Sequence, residues 1–128
     1  MKISKKHLEL LALLVKEVEL NLADARVRDS VFKQLVDHIT EFGEAKKKII
    51  ETFCKKDEDG KPLIEDNKYS FKTEVIDDLN KEFDVLVGEE VEIKLDSTDK
   101  LKEIIEKTSY KPKTGEMEQI DTIISLIK

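Results

Sequence analysis

The residues best suited to chemistry lie in an acidic segment that contains a glycine, residues 57–66. An EF-hand calcium loop needs carboxylate or amide ligands at positions 1, 3 and 5, glycine at position 6 and a glutamate at position 12. If Gly60 takes position 6, Lys55 occupies position 1, where the first ligand belongs, and Asp66 occupies position 12. Pro62 fits the calcium loop badly as well. We therefore interpret the segment as a turn.

The only cysteine, Cys54, would need a neighbouring base to act as a nucleophile. His38 precedes Cys54 by sixteen residues on one predicted helix, which separates the two by roughly 24 Å. His38 and Glu41 could supply two metal ligands, whereas a structural zinc site needs four. The sequence therefore predicts no catalytic residue, no metal site and no cofactor. We expect a protein that is not an enzyme.

The charge of the chain argues against direct binding of nucleic acid. Of its 128 residues, 41% are charged, and the net charge is −6. The basic run Lys46-Lys47-Lys48 is flanked by Glu44 and Glu51, which is typical of a solvated helix face. No stretch approaches the roughly 20 apolar residues that span a bilayer. A single cysteine favours a reducing compartment. We expect a cytoplasmic protein that binds neither nucleic acid nor membrane.

Apolar residues at alternating spacings of three and four predict two helices in the N-terminal part of the chain. The first helix shows this spacing at Leu8, Leu11, Val15, Val18 and Leu22. The second is expected from Ala25 to about Lys55 and shows it at Phe32, Leu35, Ile39, Phe42, Ile49 and Phe53. Two such helices joined by a short break are expected to pack as an antiparallel hairpin.

The remaining elements are shorter. Residues 63–71 are predicted to form a β-hairpin in which Asn67 takes the positive φ of a tight turn. A third helix is expected to begin near Thr73, with Gly88 following it in the C′ position. Residues 91–95 alternate apolar and charged side chains and are expected to add a third strand to the hairpin. Two short helices follow, separated near Pro112.

Together these elements predict a single domain of the α+β class that is mostly α. Residues 1–55 form the long helical hairpin, and residues 56–95 contain the β-hairpin or three-stranded sheet with its helix and strand. Residues 96–128 form the two short C-terminal helices.

Two groups of apolar residues exceed what this fold is expected to bury. Leu10, Leu13 and Leu14 widen the apolar face of the first helix beyond one face of a hairpin. A two-stranded hairpin is marginally stable alone, so it must lie on the helices or on a partner. The candidate partner-binding residues are therefore Leu10, Leu13, Leu14, Leu63, Ile64, Tyr69 and Phe71.

Part of the sequence resembles a known family. The segment CKKDEDGKPLIEDNKYSF (residues 54–71), the following LNKEF (residues 79–83) and EEVEI (residues 89–93) are similar to a family of small uncharacterised proteins from phages and prophages of Gram-positive bacteria. In that family a helical N-terminal half precedes a Lys-Asp-x-Asp-Gly turn, a hairpin that ends in an aromatic residue, and a Val-Glu-Ile-like strand. The resemblance implies a phage origin and transfers no catalytic residues.

The resemblance favours a structural or assembly component of a phage. The alternative is a small acidic inhibitor that binds a host or bacterial-defence protein, in one version by imitating nucleic acid. Either reading expects a protein partner, from the host or the phage, or a second copy of the chain. The expected location is the host bacterial cytoplasm, or the virion for a structural component.

Overall fold

The computed structural model describes residues 1–127, and within this range the chain is mostly helical. The helices are Leu8–Lys16 (α1), Leu22–Phe53 (α2), Ile76–Gly88 (α3), Thr98–Glu106 (α4) and Glu116–Leu126 (α5). The strands are Lys2–Ser4 (β1), Ile64–Glu65 (β2), Lys68–Tyr69 (β3) and Glu90–Glu92 (β4). Short 3-10 turns at Lys5–His7 and Thr73–Val75 precede α1 and α3. The predicted α+β class, dominated by α, is confirmed.

Helix α1 lies at the centre of the main core. Leu8, Leu11 and Val15 are fully buried, and α2, α4 and α5 all pack against this helix. The helix ends at Lys16, before the predicted stripe does, yet Val18 remains buried in the segment that follows. The predicted first helix is therefore too long. The apolar residues keep their helical spacing after Lys16, but the segment that contains Val18 is buried without being helical.

Helix α2 runs back along α1, so the predicted helical hairpin is present, with one short and one long member. The Asn21 side chain caps α2 by accepting a hydrogen bond from the backbone of Asp24 at 2.8 Å. Arg28 donates to the carbonyl of Val18 at 2.9 Å and ties α2 to the segment that connects it with α1. With 32 residues, α2 is about 48 Å long.

The second half of α2 leaves the main core. No residue between Ile39 and Val91 belongs to that core. We call residues 40–88 the arm; it contains the end of α2, the β-hairpin and α3, which returns along α2. Four side chains of the arm are buried outside the main core, Phe42, Cys54, Leu79 and Leu86.

Strand β4 pairs with β1 and not with the β-hairpin, so the expected three-stranded sheet is wrong. The register places Ile3 opposite Val91, and Ile93 donates to the carbonyl of Met1 at 2.7 Å. Just beyond this strand, α2 covers the backbone of Lys94, because the Gln34 amide accepts from its N–H at 2.7 Å and donates to its carbonyl at 2.8 Å. Backbone groups that are paired in this way are not available for further strand pairing.

Polar contacts fix the C-terminal helices. Lys100 on α4 lies 3.2 Å from the carboxylate of Asp24, and its pKa is raised, first by its hydrogen bond with Glu103 and then by Asp24. In the segment after α4, Ser109 donates to the carbonyl of Glu17 at 2.7 Å through its backbone N–H. None of the helices within residues 1–127 has both the length and the apolar character of a membrane span.

Candidate functional site

The three candidate leucines of the first helix, Leu10, Leu13 and Leu14, do not form a surface patch. Leu10 is 5% exposed and Leu14 is 1% exposed, whereas Leu13 is 40% exposed. Helix α1 packs against α4 and α5 as well as α2, whereas the prediction placed only α2 on this helix. We therefore correct the candidate surface by removing Leu10 and Leu14, which are core residues.

Two tight turns shape the hairpin at the end of the arm. Asp66 and Asn67 have φ of 51° and 62°, so the two-residue connection between β2 and β3 has positive φ at both positions, as in a type I′ turn. In the preceding turn, the Asp57 carboxylate accepts from the backbone of Asp59 at 2.9 Å and of Lys61 at 3.0 Å, and Gly60 has φ of 78°. The acidic segment is therefore a pair of turns, and the carboxylate of Asp57 is occupied in shaping the first.

Backbone hydrogen bonds close the base of the hairpin into a ring. The N–H of Lys55 donates to Ser70 at 2.7 Å, the N–H of Ser70 donates to Leu63 at 3.2 Å, and the N–H of Leu63 donates to Lys55 at 2.7 Å. Each of these three residues thus has both its backbone donor and its backbone acceptor paired. The ring leaves no free strand edge at this level, so the hairpin can present side chains but cannot accept an added strand there.

Four predicted contact residues are placed on this hairpin. Ile64 is 58% exposed and lies directly opposite the half-buried Tyr69, so their side chains share one face of the β2–β3 pair. Phe71 is half-buried and forms a bridge with Cys54, which joins the hairpin to the end of α2. Leu63 is half-buried too. The structure therefore brings Leu63, Ile64, Tyr69 and Phe71 together and separates them from the first helix.

An open depression of about 490 Å³ lies at the junction of α2, the hairpin and the turn before α3. Its apolar lining comes from Phe53, Cys54, Leu63 and Val75, and its charged lining from Lys55, Lys56 and Lys72. We call this the lysine-rimmed depression. Sequence reasoning found Leu63 but missed the lysines, because they are separated in sequence by up to seventeen residues and only the hairpin brings them together.

A second open groove, of about 760 Å³, lies between α2 and the segment after β4. Its charged lining carries both signs, Arg26, Lys94 and Lys100 against Glu92 and Asp96. Lys100 is already paired with Asp24 and Glu103. Since its charges are mixed and partly paired, this groove selects no ligand class as clearly as the lysine-rimmed depression does.

The cysteine and the two histidines, the side chains best able to react or to bind a metal, lie apart from one another or make contacts within the fold. Cys54 is buried, and the Nζ of Lys56 lies 3.5 Å from its sulfur. His38 contacts the carbonyl of Glu92 at 3.3 Å on the middle of α2. Buried His7 accepts a contact from the Gln119 amide at 3.2 Å, and its pKa is lowered, first by burial and then by the charge of Lys6. Over residues 1–127, no three His, Cys, Asp or Glu side chains cluster as a metal site would require.

Comparison with known proteins identifies no relative of this chain. The chain matches no protein-family model, and no curated protein or solved structure is significantly similar to it. The candidate site is therefore defined by its own geometry: the face of Ile64 and Tyr69 on the hairpin, and the lysine-rimmed depression where the hairpin meets α2.

Proposed function

We propose that the protein is non-catalytic and acts by binding another protein through the end of its arm. The observation that carries this proposal is the exposure of Ile64, 58%, on a hairpin whose base is closed by hydrogen bonds. The cores of protein interfaces are typically formed by large apolar and aromatic side chains that are exposed in the free protein, such as Ile64 beside the half-buried Tyr69. Docking on such a preorganised surface loses little conformational entropy.

The partner is proposed to belong to a phage particle or to its assembly. The resemblance to phage and prophage proteins is carried mainly by residues 54–71, and these are the residues that form the end of the arm. A phage structural or assembly component would use this end to contact another phage protein or a second copy of the chain. It would act in the host bacterial cytoplasm or remain in the virion.

An inhibitor of a host or bacterial-defence protein is the second candidate. It is favoured by two exposed acidic turns on the same hairpin, residues 57–59 and residues 65–66. Lysines are interleaved with these acids, at Lys56, Lys61 and Lys68, and they dilute the negative field that imitation of nucleic acid would need. Mass spectrometry of purified particles separates the two roles, because a structural component is retained in the virion and an inhibitor is not.

Site-specific photo-crosslinking tests the proposed contact. A photoreactive amino acid at position 64 should capture one protein species in cells that produce the phage. The matched control is position 85, since Val85 is 65% exposed on α3, three residues before that helix ends. Equal capture at both positions, or capture at position 85 alone, would contradict binding through the end of the arm.

A further inference from the structure

The lysine-rimmed depression differs in charge from the rest of the molecule. The chain has 29 acidic and 23 basic residues and a net charge of −6. The residues that line the depression nevertheless include three lysines and no acid. A local positive field in an acidic protein favours a ligand that carries negative charge.

Two of these lysines are available for a ligand. Among residues 1–127, neither Lys55 nor Lys72 forms an ion pair with a carboxylate. The Nζ of Lys56 is engaged, because it donates to the carbonyl of Glu51 and contacts the sulfur of Cys54. The carboxylate of Asp57, in the turn that follows Lys56, accepts two backbone hydrogen bonds within that turn. Lys55 and Lys72 can therefore contact a ligand without first breaking an internal pair.

The lining between the lysines is apolar and half-buried. Phe53, Leu63 and Val75 contribute side chains that are neither fully exposed nor fully covered. A depression of about 490 Å³ can accommodate one or two large side chains of a ligand. The closed ring of Lys55, Leu63 and Ser70 excludes strand addition at this level, so the ligand must be recognised by its side chains.

We propose that the lysine-rimmed depression is the docking site for an acidic peptide segment of the protein partner. An apolar side chain of that segment enters between Phe53, Leu63 and Val75. Carboxylates on either side of it pair with Lys55 and Lys72. The inference rests on the proposed function, protein binding by the end of the arm, and adds the chemistry of what is bound.

Peptide selection tests this chemistry on the intact chain. A library of random dodecapeptides is panned on the immobilised protein, and the selected peptides are measured by fluorescence anisotropy. We expect them to share a large apolar residue flanked by aspartate or glutamate. Their affinity should fall at least about tenfold for the double variant Lys55→Glu/Lys72→Glu, since each attractive pair becomes a repulsive one.

The matched control is Lys47→Glu/Lys48→Glu, which produces the same net charge on an exposed part of α2. It should leave peptide affinity unchanged, which separates a local effect from a change in overall charge. Thermal unfolding verifies that the variants fold, and Lys55→Gln/Lys72→Gln replaces the charge-reversal variant if that variant does not. Because few charges are neutralised, affinity should change less than about tenfold between 50 and 200 mM salt.

Several outcomes would overturn the acidic-peptide proposal. These are recovery of no binding peptide, recovery of peptides without acidic residues, and equal affinity for both double variants. Binding of a single-stranded oligonucleotide that depends on Lys55 and Lys72 would overturn it too, in favour of nucleic acid. If position 64 still captures the partner while Lys55→Glu/Lys72→Glu has no effect, this inference fails and the proposed function stands.

Discussion

At the scale of single residues, the buried polar groups serve the fold. His7 lies under the C-terminal helix, where the Gln119 amide approaches its Nδ1 at 3.2 Å and the carbonyl of Lys6 at 3.3 Å. Because an amide nitrogen donates, the ring accepts at Nδ1 and is neutral in this arrangement. Protonation of His7 at Nδ1 would make this nitrogen a donor facing the Gln119 amide, which also donates, and the hydrogen bond would be lost. His7 is therefore a structural contact between the start of α1 and α5.

This contact makes stability depend on pH. Burial and the charge of Lys6 lower the pKa of His7 below its ordinary value of 6.5, so the unfolded chain binds this proton more readily than the folded one. The contribution of neutral His7 is complete above pH 6.5 and is lost as pH falls through the folded-state pKa. Urea unfolding of the wild type and of His7→Gln, measured between neutral and mildly acidic pH, checks this. The stability advantage of the wild type over the variant should shrink toward acidic pH, and a constant difference would contradict it.

The candidate site could be predicted from the sequence only in part. The hairpin that carries Leu63, Ile64, Tyr69 and Phe71 and its turn at Asn67 follow from local sequence patterns. Leu10 and Leu14 are buried on a helix that packs against α4 and α5 as well as α2, and these contacts join segments far apart in sequence. The grouping of Lys55 with Lys72 depends on the hairpin geometry, for which no short sequence motif is diagnostic.

At the scale of elements, helix periodicity was informative and strand pairing was not. Helix α2 was predicted within three residues at each end, since long apolar stripes specify helices well. The partner of β4 could not be read from the sequence. Strand β1 is three residues long, too short to show alternation, and its pairing spans about ninety residues of chain. From the sequence, pairing of β4 with the neighbouring β-hairpin is expected, because a short loop closes at lower entropic cost than a long one.

Gln34 offers a test of how α2 holds the segment that follows β4. Gln34→Ala removes both hydrogen bonds to the backbone of Lys94 and should lower the free energy of unfolding by about 1–2 kcal/mol. Hydrogen exchange at the Lys94 amide should accelerate. Asp37→Ala, on the exposed side of the same helix, is the control and should change stability by about 0.5 kcal/mol or less. Equal effects of the two variants would show that the Gln34 amide does not secure the segment that follows β4.

At the scale of the whole molecule, the chain forms two parts, a main core around α1 and the arm. The main core surrounds α1 and includes the N-terminal and C-terminal segments, whereas residues 40–88, the arm, lie outside it and contact the 3-10 turn before α1 through α3. Most buried apolar side chains lie in the first part, and the hairpin of the second part exposes Ile64. A helix about 48 Å long is more than this core needs. The remaining length positions the hairpin away from the core, which is the arrangement expected of a contact element.

The affinity of the captured partner for two matched variants tests this account most directly. Ile64→Asp and Val85→Asp each place one carboxylate at an exposed apolar position, 58% and 65% exposed respectively. Binding of the partner captured at position 64, measured with purified components, should weaken at least about 30-fold for Ile64→Asp, the roughly 2 kcal/mol typical of a central contact residue. Val85→Asp should bind as the wild type does. Unchanged binding by Ile64→Asp, or equal weakening by both variants, would contradict the claim that the protein binds its partner through the end of the arm.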